Sequence, residues 1–353
     1  MAYQGAAVGT FHCKGLPCLL WCFANRTRRG HTAFKKASPK LDLKAATAAP
    51  PLLHADEFKS WCVEALQTNK SSAAFQINED GVWNTYFLPY ARICDQRTLE
   101  YGIGDKFFLM KHDTTYTCSA ENFKMLQLPG KTFSATIYLN GAGCGCNVGF
   151  YLVAMPAWPP GDFSDCYCDA NCEGENCCNE FDLNNMNTHA LQVTNHLCGD
   201  PPTRWNCSAN GSPVMRFTTA LFGPGNANTI DTEHPFNYSV QFRETDSESV
   251  LVTVQQGEKV ISNTMANSAL SSMWPQLSRG MVLVFDYWES IDLTWLDAPS
   301  CQVPSYCSGN KVQVSNVHIT TNGLNTTLPT AHSVQSWHTA TSPCTATAAA
   351  PCT

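Results

Sequence analysis

Apolar and polar positions alternate through much of the middle of this chain. Phe133, Ala135, Ile137 and Leu139 alternate with Ser134, Thr136 and Tyr138. A period of two sends successive side chains to opposite faces of a sheet and predicts a strand. Phe236, Tyr238, Val240 and Phe242 alternate with Asn237, Ser239 and Gln241 in the same way. Val148 to Met155 is a continuous apolar run, suited to a strand buried on both faces. Val250 to Val254 and Val260-Ile261 flank Gln256-Gly257 and predict a hairpin. Met281 to Trp288 and Val312 to Ile319 are further strands, and turn clusters such as Phe222-Gly223-Pro224-Gly225 separate such runs. Only Asp56 to Leu66 reads as a helix. Many strands with this punctuation predict an all-β, jelly-roll β-sandwich with no internal repeat.

The two ends lack this pattern. Residues 1–52 read as a leader and linker. Their one apolar run, Leu16 to Ala24, holds Pro17, Cys18 and Cys22, and its basic residues (Arg26, Arg28, Arg29) follow rather than precede it. That is an imperfect secretory signal, too short to span a bilayer. Residues 326–353 are Ser, Thr, Ala and Pro, a composition that buries no core. The predicted domain is 53–325.

Composition narrows the function. The net charge is −7 and only 14% of the 353 residues are charged. There is no basic excess for nucleic acid or an anionic membrane, and an uncharged polymer suits such a surface. Nineteen cysteines, sixteen of them between Cys62 and Cys352, point to an oxidising compartment. Six Asn-x-Ser/Thr sites agree, at Asn25, Asn69, Asn206, Asn210, Asn237 and Asn325. The expectation is a secreted, disulfide-bonded glycoprotein acting as a monomer, without a cofactor or metal. By spacing, Cys166, Cys168, Cys172, Cys177 and Cys178 also fit a zinc site. The oxidising compartment favours disulfides among them.

The densest chemistry is Cys177-Cys178-Asn179-Glu180-Phe181-Asp182-Leu183-Asn184-Asn185. On a strand, Glu180 and Asp182 share a face, and two like charges held side by side shift each other's proton affinity. Paired carboxyls of this kind cleave glycosidic bonds.

Several segments, in order, resemble family 7 glycoside hydrolases, the cellobiohydrolases and endoglucanases. They are Phe107-Phe108-Leu109-Met110 with Asp113-Thr114-Thr115-Tyr116, Gly143-Cys144-Gly145-Cys146-Asn147 with Gly149-Phe150-Tyr151-Leu152-Val153, and Tyr167-Cys168-Asp169-Ala170-Asn171-Cys172. Then come Cys177-Cys178-x-Glu180-x-Asp182, Thr194-x-His196-x-Cys198, Phe222-Gly223-Pro224-Gly225, Ile230-Asp231-Thr232, Gly280-Met281-Val282-Leu283-Val284 and Trp295-Leu296-Asp297. The resemblance covers roughly residues 105 to 320. It implies a concanavalin-like sandwich with a β-1,4-glucan cleft and a retaining mechanism. It makes Glu180 the nucleophile and Asp182 its electrostatic helper, with His196 near the active centre. Trp295 and Trp288 are candidate sugar platforms, Trp83 a further one, and Asn147 completes the substrate-binding set. The resemblance also implies that Cys168 and Cys172 bridge to Cys177 and Cys178, that Cys144 pairs with Cys301, and Cys198 with Cys207.

The departures matter as much. The family's acid/base Glu is Asn185 here, and the Trp before it is Asn184. An amide cannot protonate a leaving oxygen, and that assistance is worth about 10²–10⁴-fold. Asp286, Glu289 and Asp292 are candidate substitutes with no position to choose among them. Four residues separate Cys172 from Cys177 where the family carries a long loop, which predicts an open, endo-acting cleft. Three functions stay open: a glycosidase with a displaced or missing acid and so weak or lost activity, a carbohydrate-binding or wall-associated protein that kept the cleft, and a purely structural protein.

Overall fold

The computed structural model describes residues 72–113, 121–155, 167–173, 176–200, 202–244, 248–301, 306–307 and 309–324. The expected leader, the helix at Asp56 to Leu66 and the tail from 326 lie outside these residues, as do Thr114 to Tyr116 and Cys166.

The strands run in chain order as β1 (Ser72–Glu79), β2 (Val82–Pro89), β3 (Arg92–Ile93), β4 (Thr98–Tyr101), β5 (Asp105–Phe108), β6 (Met125–Leu126), β7 (Lys131–Tyr138), β8 (Cys146–Val153) and β9 (Glu180–Met186). They continue as β10 (Leu191–His196), β11 (Val214–Arg216), β12 (Phe222–Gly223), β13 (Ile230–Asp231), β14 (Phe236–Arg243), β15 (Ser249–Gln256), β16 (Lys259–Met265), β17 (Met281–Glu289) and β18 (Val312–Thr321). One nine-stranded sheet has the path β16-β15-β14-β7-β18-β1-β2, with β4 on β18 and β3 on β4. The second, seven-stranded sheet runs β11-β10-β9-β8-β17-β5, with β6 on β17. The predicted strands are all present, and the Gln256-Gly257 turn joins β15 to β16.

The two sheets pack through aromatic inner faces. Phe133 of one sheet meets Phe150 of the other with ring centroids 5.6 Å apart, and Phe181 meets Phe242 at 5.4 Å. β14 buries alternate residues, as its sequence period requires. β8 is buried at every residue because its outer face is covered too. There Tyr151 and Val153 pack with Phe108, Tyr167, Cys168, Cys178 and Val284 in a second apolar cluster. Phe107 and Phe108 lie on β5, a strand of the seven-stranded sheet itself.

One helix corrects the sequence reading. α1 (Ser268–Arg279) buries Leu270, Met273, Trp274 and Leu277, and the Asn267 side chain caps it by accepting from Leu270 N–H. The i, i+3, i+4, i+7 spacing and the cap are both legible in sequence. Pro275 inside the run argues against a helix, since it removes one backbone bond. Burial of the apolar stripe, with Trp274 against Phe242, offsets that loss. A second, four-residue helix is α2 (Thr294–Asp297).

Candidate active site

The outer face of the seven-stranded sheet carries the chemistry. Glu180, Asp182 and Asn185 share that face although an odd separation divides the last two. A β-bulge is the reason. On β10 the single residue Val193 spans Leu183 and Asn184, so Thr194 pairs with Asp182 and Gln192 with Asn185. The extra residue returns Asn185 to the outer side. Asn184, fully buried, pins the bulge: its Oδ1 accepts from Phe150 N–H at 3.1 Å and its Nδ2 donates to the Val148 carbonyl at 2.9 Å. Where the family has Trp, this chain uses the side chain to satisfy two backbone groups of β8.

Glu180 is 7% exposed and Asp182 4%. Ala170 N–H donates to Glu180 Oε2 at 2.8 Å. Two disulfides, Cys168–Cys178 and Cys172–Cys177, brace the turn that presents Ala170. The resemblance implied bridges from the first two of these cysteines to the last two, and the structure decides which joins which and takes all four out of any zinc site. Cys144–Cys301 and Cys198–Cys207 form as expected, and Cys146–Cys307 is an addition.

His196 lies across from Glu180 on β10. Its Nδ1 donates to the Ser208 carbonyl at 2.8 Å, and its Nε2 meets Asp182 Oδ2 at 3.1 Å. Burial alone would depress the imidazole. The adjacent Asp182, then Glu180 and the Ser208 carbonyl, outweigh it and push His196 up to about 10, so it is an imidazolium. Glu180 is held well above the usual carboxylate range, first by burial and then by the charge of Asp182, with His196 opposing. The array therefore favours the protonated form of Glu180 beside Asp182 and a fixed cation. Its oxygen and nitrogen ligand atoms lie within 4.8 Å of one another, close enough to share a metal ion. Asp182 Oδ2 already serves both His196 and Asn185.

Asn185 is an amide between two partners. Its Nδ2 donates to Asp182 Oδ2 at 2.6 Å, and its Oδ1 accepts from Asn147 Nδ2 at 2.6 Å. Asn147, 1% exposed, keeps its own Oδ1 without a protein partner. Trp288, opposite Asn147 on β17, stacks on Trp295 with centroids 6.2 Å apart. Trp295 is 39% exposed on α2, which Asp297 ties down by accepting from Gly145 N–H at 2.9 Å and from Asn187. Trp83 belongs to the other sheet, with the Arg97 guanidinium 4.0 Å over its ring. Glu289 and Asp292 are exposed, and Asp292 caps Thr294 N–H.

Asp286 alone of the three substitute carboxyls is buried on the outer face. The sequence singled it out without a place. What the sequence did not show is its company: Tyr151, Tyr167, Asp169 and Lys106. The only sequence signal was Tyr151 two residues beyond Gly149, on the outer side of β8.

No protein-family model matches the chain. Over 267 residues it is 28% identical to endoglucanase EG-1 of Hypocrea jecorina, covering 62% of this chain and 55% of that protein. It is 24% identical over 254 residues to endo-β-1,4-glucanase celB of Emericella nidulans, covering 50% and 59%. The chain thus spans a little over half the length of these curated relatives. A solved endoglucanase I complexed with cellobiose superposes with a TM-score of 0.58 at 17% identity, over 72% of this chain and 98% of that one. A family 7 cellobiohydrolase from Daphnia pulex gives 0.56 at 14% identity, over 73% and 98%. These structures share the all-β sandwich fold. In sequence the chain is similar to these endoglucanases, and in fold to family 7 glycoside hydrolases.

Proposed function

We propose that this chain is an extracellular glycoside hydrolase that cleaves β-1,4-glucan with retention, in an open, endo-acting cleft over the seven-stranded sheet. The observation that carries the reading is the buried Glu180–Asp182–His196 array, held by the Ala170 N–H and the Ser208 carbonyl. Glu180 attacks the anomeric carbon. It attacks as the carboxylate, with Asp182 beside it, while the His196 imidazolium keeps the pair from carrying two uncompensated charges. The two curated relatives are named as endoglucanases, which favours internal cleavage of a glucan.

Substrate binding falls to the Trp288–Trp295 pair and to Asn147. An aromatic face complements the apolar face of a glucose ring. The unpartnered Asn147 Oδ1 offers an acceptor for a sugar hydroxyl, and leaving it unpaired costs on the order of 1–3 kcal/mol. All these groups come from one chain, so a monomer suffices. The disulfides accord with an extracellular setting, and no helix among the described residues is long and apolar enough to cross a membrane.

The test is hydrolysis of an aryl β-cellobioside followed by NMR of the anomeric proton. Retention in the first-formed product, and its loss in E180Q, are expected. An inverted product, or full activity in E180Q, would overturn the assignment.

A further inference from the structure

Asn185 leaves the proposed glycosidase without a proton donor at the family position, and the structure places another carboxyl on the same rung. Lys106, Asp286, Gly149, Asn185 and Gln192 are successive ladder partners across β5, β17, β8, β9 and β10. Asp286 and Asn185 flank Gly149 from either side, with their Cα atoms about 10 Å apart by strand spacing. Gly149 has no side chain to fill the gap. A Cβ built there would lie 3.8 Å from Asn185 Oδ1 and 3.6 Å from the Tyr151 ring. An oxygen resting over Gly149 is bordered by Asn185 on one side and Asp286 on the other. Asp286 is 7% exposed, as much as Glu180.

A count of protons bears on which form Asp286 takes. Four oxygens stand in line: Asp286 Oδ2, Tyr151 OH, Tyr167 OH and Asp169 Oδ2. The contacts between them are 3.2, 2.8 and 3.1 Å. Three hydrogen bonds need three protons, and two phenols carry two. Both phenols are held well above their usual range, Tyr151 by burial and then Asp286, Tyr167 by burial and then Tyr151, so neither ionises to relieve the shortage. With Tyr151 donating to Asp286 and Tyr167 to Asp169, the contact between the two hydroxyls gains a proton only when one of the two carboxyls is protonated. Burial pushes Asp286 up to about 6 against the pull of Lys106, whose Nζ is 3.6 Å away, and burial raises Asp169 as well. The charged groups around the line are Lys106 from β5, Glu173 and Asp169 from the disulfide-braced turn, and Glu180 from β9.

We propose that Asp286 is the displaced general acid, donating the proton that Asn185 cannot, through the gap over Gly149. This rests on the reading of Glu180 as nucleophile. As Glu180 bonds to the anomeric carbon, the bond to the leaving oxygen breaks and its electron pair takes the proton from Asp286. The Asp286 carboxylate left behind faces Lys106. It then accepts a proton from the water that releases the glycosyl group from Glu180, which restores both carboxyls. The Tyr151–Tyr167 line ties Asp286 to Asp169, so Asp169 and the two phenols are positioning residues.

The test compares the parent, D286N, N185E and N185E/D286N on 2,4-dinitrophenyl β-cellobioside and on cellotetraose. A dinitrophenolate leaves without a proton, and a sugar alkoxide does not. D286N should lose about 10²–10⁴-fold on cellotetraose and under about tenfold on the aryl glycoside. N185E/D286N should recover cellotetraose cleavage, because the acid returns at the family position. Equal losses on both substrates, or none on either, would overturn the proposal. A parent inactive on both with an active N185E removes Asp286 as acid and keeps Glu180 as nucleophile. Inactivity of N185E as well fails the function itself. Infrared difference spectra give a readout apart from turnover. Of the protonated-carboxyl bands at pH 5 to 6, one besides that of Glu180 should be lost in D286N, and loss of none there, or its loss only in D169N, would overturn the assignment.

Discussion

Replacing Asn184 with Ala should destabilise the protein and disorder the site through the same two bonds. The side chain donates to the Val148 carbonyl and accepts from Phe150 N–H, at 2.9 and 3.1 Å, in a position with no solvent access. Its removal orphans one buried acceptor and one buried donor. Each costs about 1–3 kcal/mol, so N184A should lose roughly 2–6 kcal/mol. A domain of this size holds only about 5–15 kcal/mol in all. A mid-range loss of about 4 kcal/mol lowers the melting temperature by roughly 8–16 °C. N184L keeps most of the volume and should lose nearly as much, which separates hydrogen bonding from cavity formation. The chemical consequence is sharper. Without the bulge, Asn185 turns toward the core and the Asp182 Oδ2 loses its 2.6 Å donor. Calorimetry at pH 6, with cellotetraose cleavage measured well below the lower melting point, covers both effects. An N184A protein that melts within about 2 °C of the parent and turns over normally would refute the idea that this side chain holds the bulge.

E180Q should lower aryl-cellobioside turnover at least about 10⁴-fold. Its melting point should equal or exceed the parent's at pH 7, since ionisation of Glu180 is disfavoured where it sits. The His196 cation should show in a pH series of unfolding midpoints. Its folded value of about 10 lies above the unfolded value near 6.5, so its stabilisation is complete below pH 6.5 and is lost as pH rises from there through about 10. H196Q should flatten that fall, which is on the order of a few kcal/mol, and identical slopes for parent and variant would count against a charged His196. The double variant C168A/C178A opens a bridge across ten residues, worth about 3 kcal/mol in unfolding free energy. It should also reduce turnover, because Ala170 inside that bridge donates to Glu180. Normal turnover in a folded double variant would show that the bridge does not serve the site.

Much of this protein was legible along the chain because the governing interactions are local or periodic. Phe236 to Phe242 alternates because one side of β14 lies in the core, and that period survives any tertiary arrangement. Cys168, Cys172, Cys177 and Cys178 lie within eleven residues, and the resemblance joined the first two to the last two before the fold decided which to which. Glu180 and Asp182 share a face by strand geometry alone. Helix α1 is legible too, through Asn267 and the Leu270–Leu277 stripe, with Pro275 the residue in it that argues against a helix.

Other features depended on which strands became neighbours. Asn185 joins Asp182 only because Val193, on another strand, spans two residues of β9. Asp286 was one of three indistinguishable carboxyls until β17 paired with β5 and β8, which set it beside Lys106 and across from Gly149. Its partners in the hydroxyl line, Tyr151 and Tyr167, are 135 and 119 positions away in sequence and meet it only in the folded chain. Sequence periodicity specifies which face of a strand a residue takes. Sheet pairing and burial specify what that face meets, and so which carboxyl keeps a proton.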